Sequence, residues 1–142
     1  MGRKIRLVAV GRVKEAYLKE GMAEYEKRLR PYCSLEVVEL KDEGMEKEAA
    51  HFEKYLGPGT FLLDEKGIEM GSPQFAKLFS SDPGVPLTFL IGGPYGTPAE
   101  LKKKCKCISL SKMTFTHEMC RLFLLEQIYR ASLTNSGRNY QK

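Results

Sequence analysis

A chain of 142 residues is long enough to bury roughly two-thirds of the surface its unfolded form exposes, so one domain with a real core is expected. With 42% hydrophobic and 29% charged residues and no low-complexity tract, the composition excludes disordered and fibrous classes. No apolar run approaches the ~20 residues of a membrane span, and the charged opening Met1-Gly-Arg-Lys leads only into the short run at residues 7–10, so neither a signal peptide nor a membrane anchor is expected.

The formal charge of +5, from 23 Lys and Arg against 18 Asp and Glu, would attract an anionic partner at long range. Its clusters matter more than its total: Lys27-Arg28-Leu29-Arg30, Lys102-Lys103-Lys104 with Lys106, and Arg121, Arg130, Arg138 and Lys142 toward the end. A solvated face is the ordinary meaning of a run such as Lys102 to Lys104. The cysteines Cys33, Cys105, Cys107 and Cys120 lack the paired C-x-x-C spacing or nearby histidines of a zinc site. No metal is expected, and reduced thiols in a cytoplasmic protein are the better reading.

In chain order, residues 4–10 form a short apolar run closed by Gly11, read as a strand buried on both faces toward its end. Over residues 14–30, Tyr17, Leu18, Met22, Tyr25 and Leu29 recur at helical spacing until Pro31 stops the pattern. Residues 35–40 have β-branched character, and residues 46–56 are helical up to Gly57-Pro58-Gly59. Short apolar strands follow at 60–64, 87–91 and 107–110, each leading through a loop to a helix, at 73–79, 98–104 and 116–133. This alternation predicts a single α/β domain with a mostly parallel sheet covered by helices.

Ligands of open α/β sheets bind outside the carboxyl ends of the strands. Three segments occupy such places: Leu63-Asp64-Glu65-Lys66-Gly67, Gly92-Gly93-Pro94-Tyr95-Gly96, and Ser111-Lys112-Met113-Thr114-Phe115. The glycine-rich segment is either a tight turn or a place where backbone meets a nucleoside-like ligand. It carries neither the dinucleotide fingerprint nor a P-loop. Thr114 or Thr116 is a candidate N-cap for the last helix, with Glu118 well placed in its first turn and His117 either structural or catalytic. That helix has a broad apolar surface of Met119, Leu122, Phe123, Leu124, Leu125, Ile128 and Tyr129, which suits a partner subunit or deep burial, and Glu126 and Arg130 are spaced for an ion pair. The polar, basic tail from Asn135 to Lys142 has the composition of a frayed end.

Nearly end to end, the chain resembles the SPOUT-class pseudouridine N3-methyltransferase family that acts on large-subunit (23S) ribosomal RNA. The resemblance is carried by Ile5-Arg-Leu-Val-Ala-Val-Gly11, Glu24-Tyr-Glu-Lys-Arg-Leu29, Leu90-Ile-Gly-Gly93 and, most specifically, Leu110-Ser-Lys-Met-Thr-Phe-Thr-His117 leading into Arg121 and Glu126-Gln-Ile-Tyr-Arg-Ala131. It implies a deep C-terminal trefoil knot, the cofactor S-adenosyl-L-methionine, and a homodimer in which each active site is completed by the partner's tail. By position, Leu63, Gly92, Leu110, Ser111, Lys112, Met113, Thr114 and Phe115 match the family's cofactor contacts.

The chain departs from the family in having Thr116 where proline is usual, and in ending Tyr140-Gln141-Lys142 where a tyrosine, a histidine and a basic residue are common. Without that histidine, Tyr140, His117 and Arg130 are the candidates for assisting loss of the N3 proton or stabilising the anionic ring. Arg121, Arg138 and Lys142 are expected to meet phosphates of ribosomal RNA or the ribosome. A ribosome- or RNA-binding protein that kept the fold without turnover is the alternative, and an unrelated nucleotide-binding enzyme a more distant one.

Overall fold

The computed structural model describes residues 3–81, 84–94 and 96–138. Its elements alternate along the chain: β1 (Arg3–Val10), α1 (Ala16–Leu29), β2 (Cys33–Leu40), α2 (Met45–Phe52) running into a 3-10 turn (Glu53–Tyr55), β3 (Thr60–Glu69), α3 (Ser72–Ser80), β4 (Leu87–Ile91), α4 (Ala99–Lys104), β5 (Lys106–Ser109) and α5 (His117–Asn135). The strands form one five-stranded sheet in the order β2-β1-β4-β3-β5, and every pairing is parallel. The expected α/β class with a parallel sheet is therefore observed.

Each strand sends alternate side chains to opposite faces, and both faces are covered. On one face Ile5, Leu7, Ala9, Phe89 and Ile91 pack under α1, α3 and α5 through Leu18, Met22, Phe75, Leu124, Leu125 and Ile128. On the other, Val8, Val10, Leu62 and Leu90 pack under α2 and α4 through Phe52 and Leu101. Phe89 also gathers Phe61, Phe75 and Phe79, with ring centroids 5.8–6.0 Å away. This explains why β4 and residues 7–10 of β1 are almost wholly apolar: neither stretch has a solvent face.

The largest departure from expectation is in β3. The sequence places its end near Asp64, yet the strand runs on to Glu69, and its ladder to β5 breaks between Leu63 and Ile68, both of which pair with Ile108. The interruption forces Asp64 and Glu65 out at the strand's carboxyl side. Gly67 permits the return, because a Cβ there would lie 2.6 Å from the carbonyl carbon of Cys107.

The final helix is capped at both ends. Thr116 Oγ1 accepts from the Met119 N–H at 3.2 Å, which makes Thr116 rather than Thr114 the N-cap. At the other end Gly137 takes φ +81°, and the Arg138 N–H donates to the Leu133 carbonyl at 2.8 Å, a Schellman closure. Gly137 is thus a fixed helix terminator, and the closure sets the place of Arg138. The Glu126–Arg130 pair forms at 2.9 Å as its spacing predicts.

The lysines of α4 are committed to local carboxylates: Lys102 to Asp64 at 3.3 Å, Lys103 to Glu100 at 3.7 Å and Lys104 to Glu53 at 2.5 Å. The cysteines are free thiols, and burial pushes Cys33 up to about 11 and raises Cys105, Cys107 and Cys120 as well. Among the described residues no helix is long and apolar enough to cross a membrane, and no cluster of His, Cys, Asp or Glu is grouped to hold a metal.

Candidate functional site

The carboxyl ends of β3, β4 and β5 open into a cleft of about 970 Å³, which the first turns of α1 and α5 also line. Of the residues singled out from sequence, Leu63, Gly92, Leu110, Ser111, Met113, Thr114, Phe115 and His117 all line it. Segments well separated in the chain meet here because their strands are neighbours in the sheet.

The loop at 110–116 is held by its own side chains. Ser109 Oγ donates to the Ser111 carbonyl at 2.8 Å and to the Glu65 carbonyl at 3.2 Å, while the Met113 N–H donates to Ser111 Oγ at 3.0 Å. The Thr114 hydroxyl donates to the Glu65 carboxylate, tying the loop to the interrupted part of β3. Phe115 packs edge-on against Phe123 of α5 at 4.9 Å. These contacts tie the backbone of the loop to β3 and α5 beside the cleft.

Gly92 follows β4 at the cleft, and its segment forms the tight turn that is one of the two meanings its glycines allow. It lines the cleft, and a Cβ there would also lie 2.7 Å from Thr97 Oγ1 and 3.3 Å from the Gly96 carbonyl oxygen. The turn itself, closed by the Gly96 N–H on the Gly93 carbonyl at 3.0 Å with Gly96 at φ +86°, therefore excludes a side chain.

Charges in the cleft oppose the charge of the chain. Glu15, Asp64, Glu65 and Glu118 line it against Lys102 and His117, and Lys102 is already paired with Asp64. A wall of carboxylates attracts a small cation, so the lining suits a positively charged ligand. Burial, and secondarily the Glu65 carboxylate, raises the thiol of Cys120 in the same wall and keeps it protonated.

A family model described as "Predicted SPOUT methyltransferase" matches residues 3–141. The chain belongs to the SPOUT methyltransferase family. Among its relatives, "Ribosomal RNA large subunit methyltransferase H" of Acetivibrio thermocellus is 39% identical, with 98% of this chain and 99% of the relative covered. The protein of the same name from Carboxydothermus hydrogenoformans is 40% identical with the same coverage, and that of Pelobacter propionicus is 39% identical over 90% of this chain and 92% of its own.

Against that membership, several positions in this SPOUT chain differ from their sequence reading. Lys112 belongs to the cofactor-loop segment but does not line the cleft; its side chain is 79% exposed, with Nζ 3.8 Å from Glu69. Arg121, expected to meet phosphate, is 0% exposed, and its guanidinium donates to Glu39 at 2.6 Å, the Val10 carbonyl at 3.0 Å and the Gly11 carbonyl at 2.5 Å. Its charge is consumed inside the domain, so the phosphate assignment is withdrawn. Arg130 pairs with Glu126 and stands farther along α5 than His117 by roughly 20 Å at ~1.5 Å per residue. Arg138 donates to Tyr32 Oη at 2.9 Å, beyond that same far end. Tyr140 and Lys142 lie outside the described residues.

The cleft also contains Tyr17, Leu18 and Thr97, to which the sequence reading gave no site role. In sequence Tyr17 and Leu18 belong to one apolar helical stripe, and its spacing does not mark which of the two faces a cleft.

Proposed function

We propose that this chain uses S-adenosyl-L-methionine to methylate N3 of a pseudouridine in large-subunit (23S) ribosomal RNA, acting in the cytoplasm as a homodimer. The observation that supports it best is the convergence of Leu63, Gly92 and the 110–115 loop on one acid-lined cleft at the carboxyl ends of adjacent strands. The names of the relatives point to the same substrate.

The residues present fit the cofactor. Backbone at Gly92 and along residues 110–115 would hold its nucleoside portion, Met113 and Phe115 offer apolar surface, and the carboxylates of Asp64, Glu65 and Glu118 suit its cationic sulfonium. When bound, it supplies an electrophilic methyl group. What remains for the protein is to orient a ring nitrogen and favour loss of its weakly acidic proton. Among Tyr140, His117 and Arg130, His117 is the one described in this chain's own cleft. Arg130 and Arg138 are carried to the opposite end of α5, so they and the tail serve the cleft of a second copy. The knot that family membership implies would pass through the 110–116 segment.

Labelled methyl transfer to ribosomes lacking the modification, followed by mass spectrometry of the nucleosides, tests the reading. One methyl per large subunit on pseudouridine is expected. Folded protein that binds the cofactor yet transfers nothing would favour a binding protein instead.

Gly92 supplies a narrower test. Gly92→Ala should weaken cofactor affinity at least tenfold in calorimetric titration, and because the added Cβ meets Thr97 Oγ1 it should also lower the melting temperature by a few degrees without unfolding the protein. Adding Thr97→Ala removes the atom nearest the new Cβ. If affinity then returns, the glycine is needed by the turn; if it stays weak, the ligand itself occupies that space.

A further inference from the structure

The family's cofactor positions account for only part of the cleft lining. They lie on β3 and in the segments after β4 and β5, whereas other lining residues come from the first turns of α1 and α5. At about 970 Å³ the volume is at the upper end of the ~300–1,000 Å³ usual for small-ligand sites. Among the described residues the exposed large apolar side chains are Tyr17, Ile68 and Met113, and Tyr17 and Met113 both line this cleft.

Tyr17 is 63% exposed although the next residue, Leu18, is 2% exposed in the core. Successive residues on a helix point about 100° apart, so anchoring Leu18 directs the Tyr17 ring outward into the cleft mouth. Tyr25 packs against Tyr129 at 5.9 Å and Tyr32 packs against the same ring at 6.3 Å, whereas Tyr17 makes neither a ring contact nor a hydrogen bond among the described residues. The backbone beneath it is fixed. Arg121 holds the carbonyls of Val10 and Gly11, Glu118 Oε1 accepts from the Lys14 N–H at 2.9 Å, and the Leu18 N–H returns to the Glu15 carbonyl at 3.1 Å. Two exposed apolar side chains, Tyr17 and Met113, on one cleft make a surface that a ligand can cover.

We propose that Tyr17 is the platform on which the target base stacks when it is drawn into the cleft that the cofactor loops also line. This rests on the function proposed above. An extruded uracil-type base presents a flat π-face, and aromatic side chains are the usual seats for unstacked bases. Arg12 and Lys19 face a separate depression with Glu26 and Glu39, whereas Lys14, beside Glu15 of the cleft lining, is exposed and has no carboxylate partner among the described residues, in contrast to the paired lysines of α4. Lys14 is the cation left available to a phosphate next to the extruded nucleotide.

The test compares the full-length parent with Tyr17→Ala, Tyr17→Leu and Tyr17→Phe in single-turnover methylation of ribosomes, alongside cofactor titration and light scattering. The alanine and leucine variants should bind cofactor as the parent does but need about tenfold more ribosome for half-maximal rate, equivalent to ~1.4 kcal/mol and within the range for a lost base–aromatic stack. The phenylalanine variant should stay within about twofold of the parent, because the ring and not the hydroxyl supports the base. Parental half-saturation in the alanine variant would overturn the proposal, as would rescue by leucine equal to that by phenylalanine. Conversion of the alanine variant to a monomer would also overturn it, by assigning the ring to a subunit contact. A parent that binds cofactor and ribosomes but transfers no methyl would sink the underlying function, and this role with it.

Discussion

Replacing Arg121 with methionine should lower the stability of the domain by about 3 kcal/mol and its melting temperature by roughly 10 °C. The magnitude follows from what is left behind. Glu39, the ionic partner, has a side chain 41% exposed and can recover water, so the broken ion pair contributes little. The Val10 and Gly11 carbonyls lose a charged donor at the buried end of β1, and each orphaned group costs ~1–3 kcal/mol. Arg121→Lys keeps the charge but cannot reach several acceptors with one fork, and should fall between the two. Thermal unfolding followed by circular dichroism reads both variants. A methionine variant melting within 3 °C of the parent would show that the interior pairing adds nothing, and would reopen a surface role for Arg121. In variants that stay folded, loosening residues 11–15 should also disturb the wall that carries Tyr17.

Removing residues 137–142 should leave cofactor affinity unchanged and reduce methyl transfer at least a hundredfold. The cofactor segments all lie upstream, at one end of α5, while the tail departs from the other end after the Gly137 closure. The proposed homodimer would have the tail serve the cleft of the second copy. Co-expression gives the sharper result. Pairing a subunit that lacks the tail with one carrying Gly92→Val leaves each unable to work alone, yet a mixed dimer contains one intact cleft facing one intact tail. Random association then restores about a quarter of parental activity. Full activity of the truncated protein would refute the tail's role, and absence of rescue from a verified mixed dimer would refute the shared site. Gln141→His should preserve or raise the rate, since it returns a group able to exchange protons near neutral pH.

The elements were legible because each apolar run is punctuated locally, by Gly11, Pro31, Gly57-Pro58-Gly59 or a capping threonine. The site was legible for a related reason: strand carboxyl ends in a parallel sheet face the same way, so the segments after β3, β4 and β5 had to be neighbours if the strands were. What could not be read depends on partners far away in sequence. The extension of β3 through Glu65-Lys66-Gly67 has the composition of a turn and becomes a strand again only because β5 lies beside Ile68. Arg121 looked like one more surface cation, since nothing near it in the chain announces Glu39 or the Val10 carbonyl. Tyr17 disappeared into a helical stripe because periodicity marks a face without saying which of two adjacent residues has the core. A knot is a matter of the order in which segments thread past each other, and hydrophobic spacing carries no record of that order.

The capped ends of α5 set a phase relation. With Thr116 fixing where the helix starts and Gly137 where it stops, the bearing of Arg138 relative to the cleft is determined by the number of residues between them. One residue inserted between Leu125 and Ala131 would advance Arg138 by ~1.5 Å and rotate it by about 100°, away from Tyr32. Two adjacent turns, seven residues, would nearly restore the angle while lengthening the helix by ~10 Å. The helix should therefore tolerate many substitutions on its exposed side but almost no change in length, behaving as a ruler whose graduations are angular as well as linear.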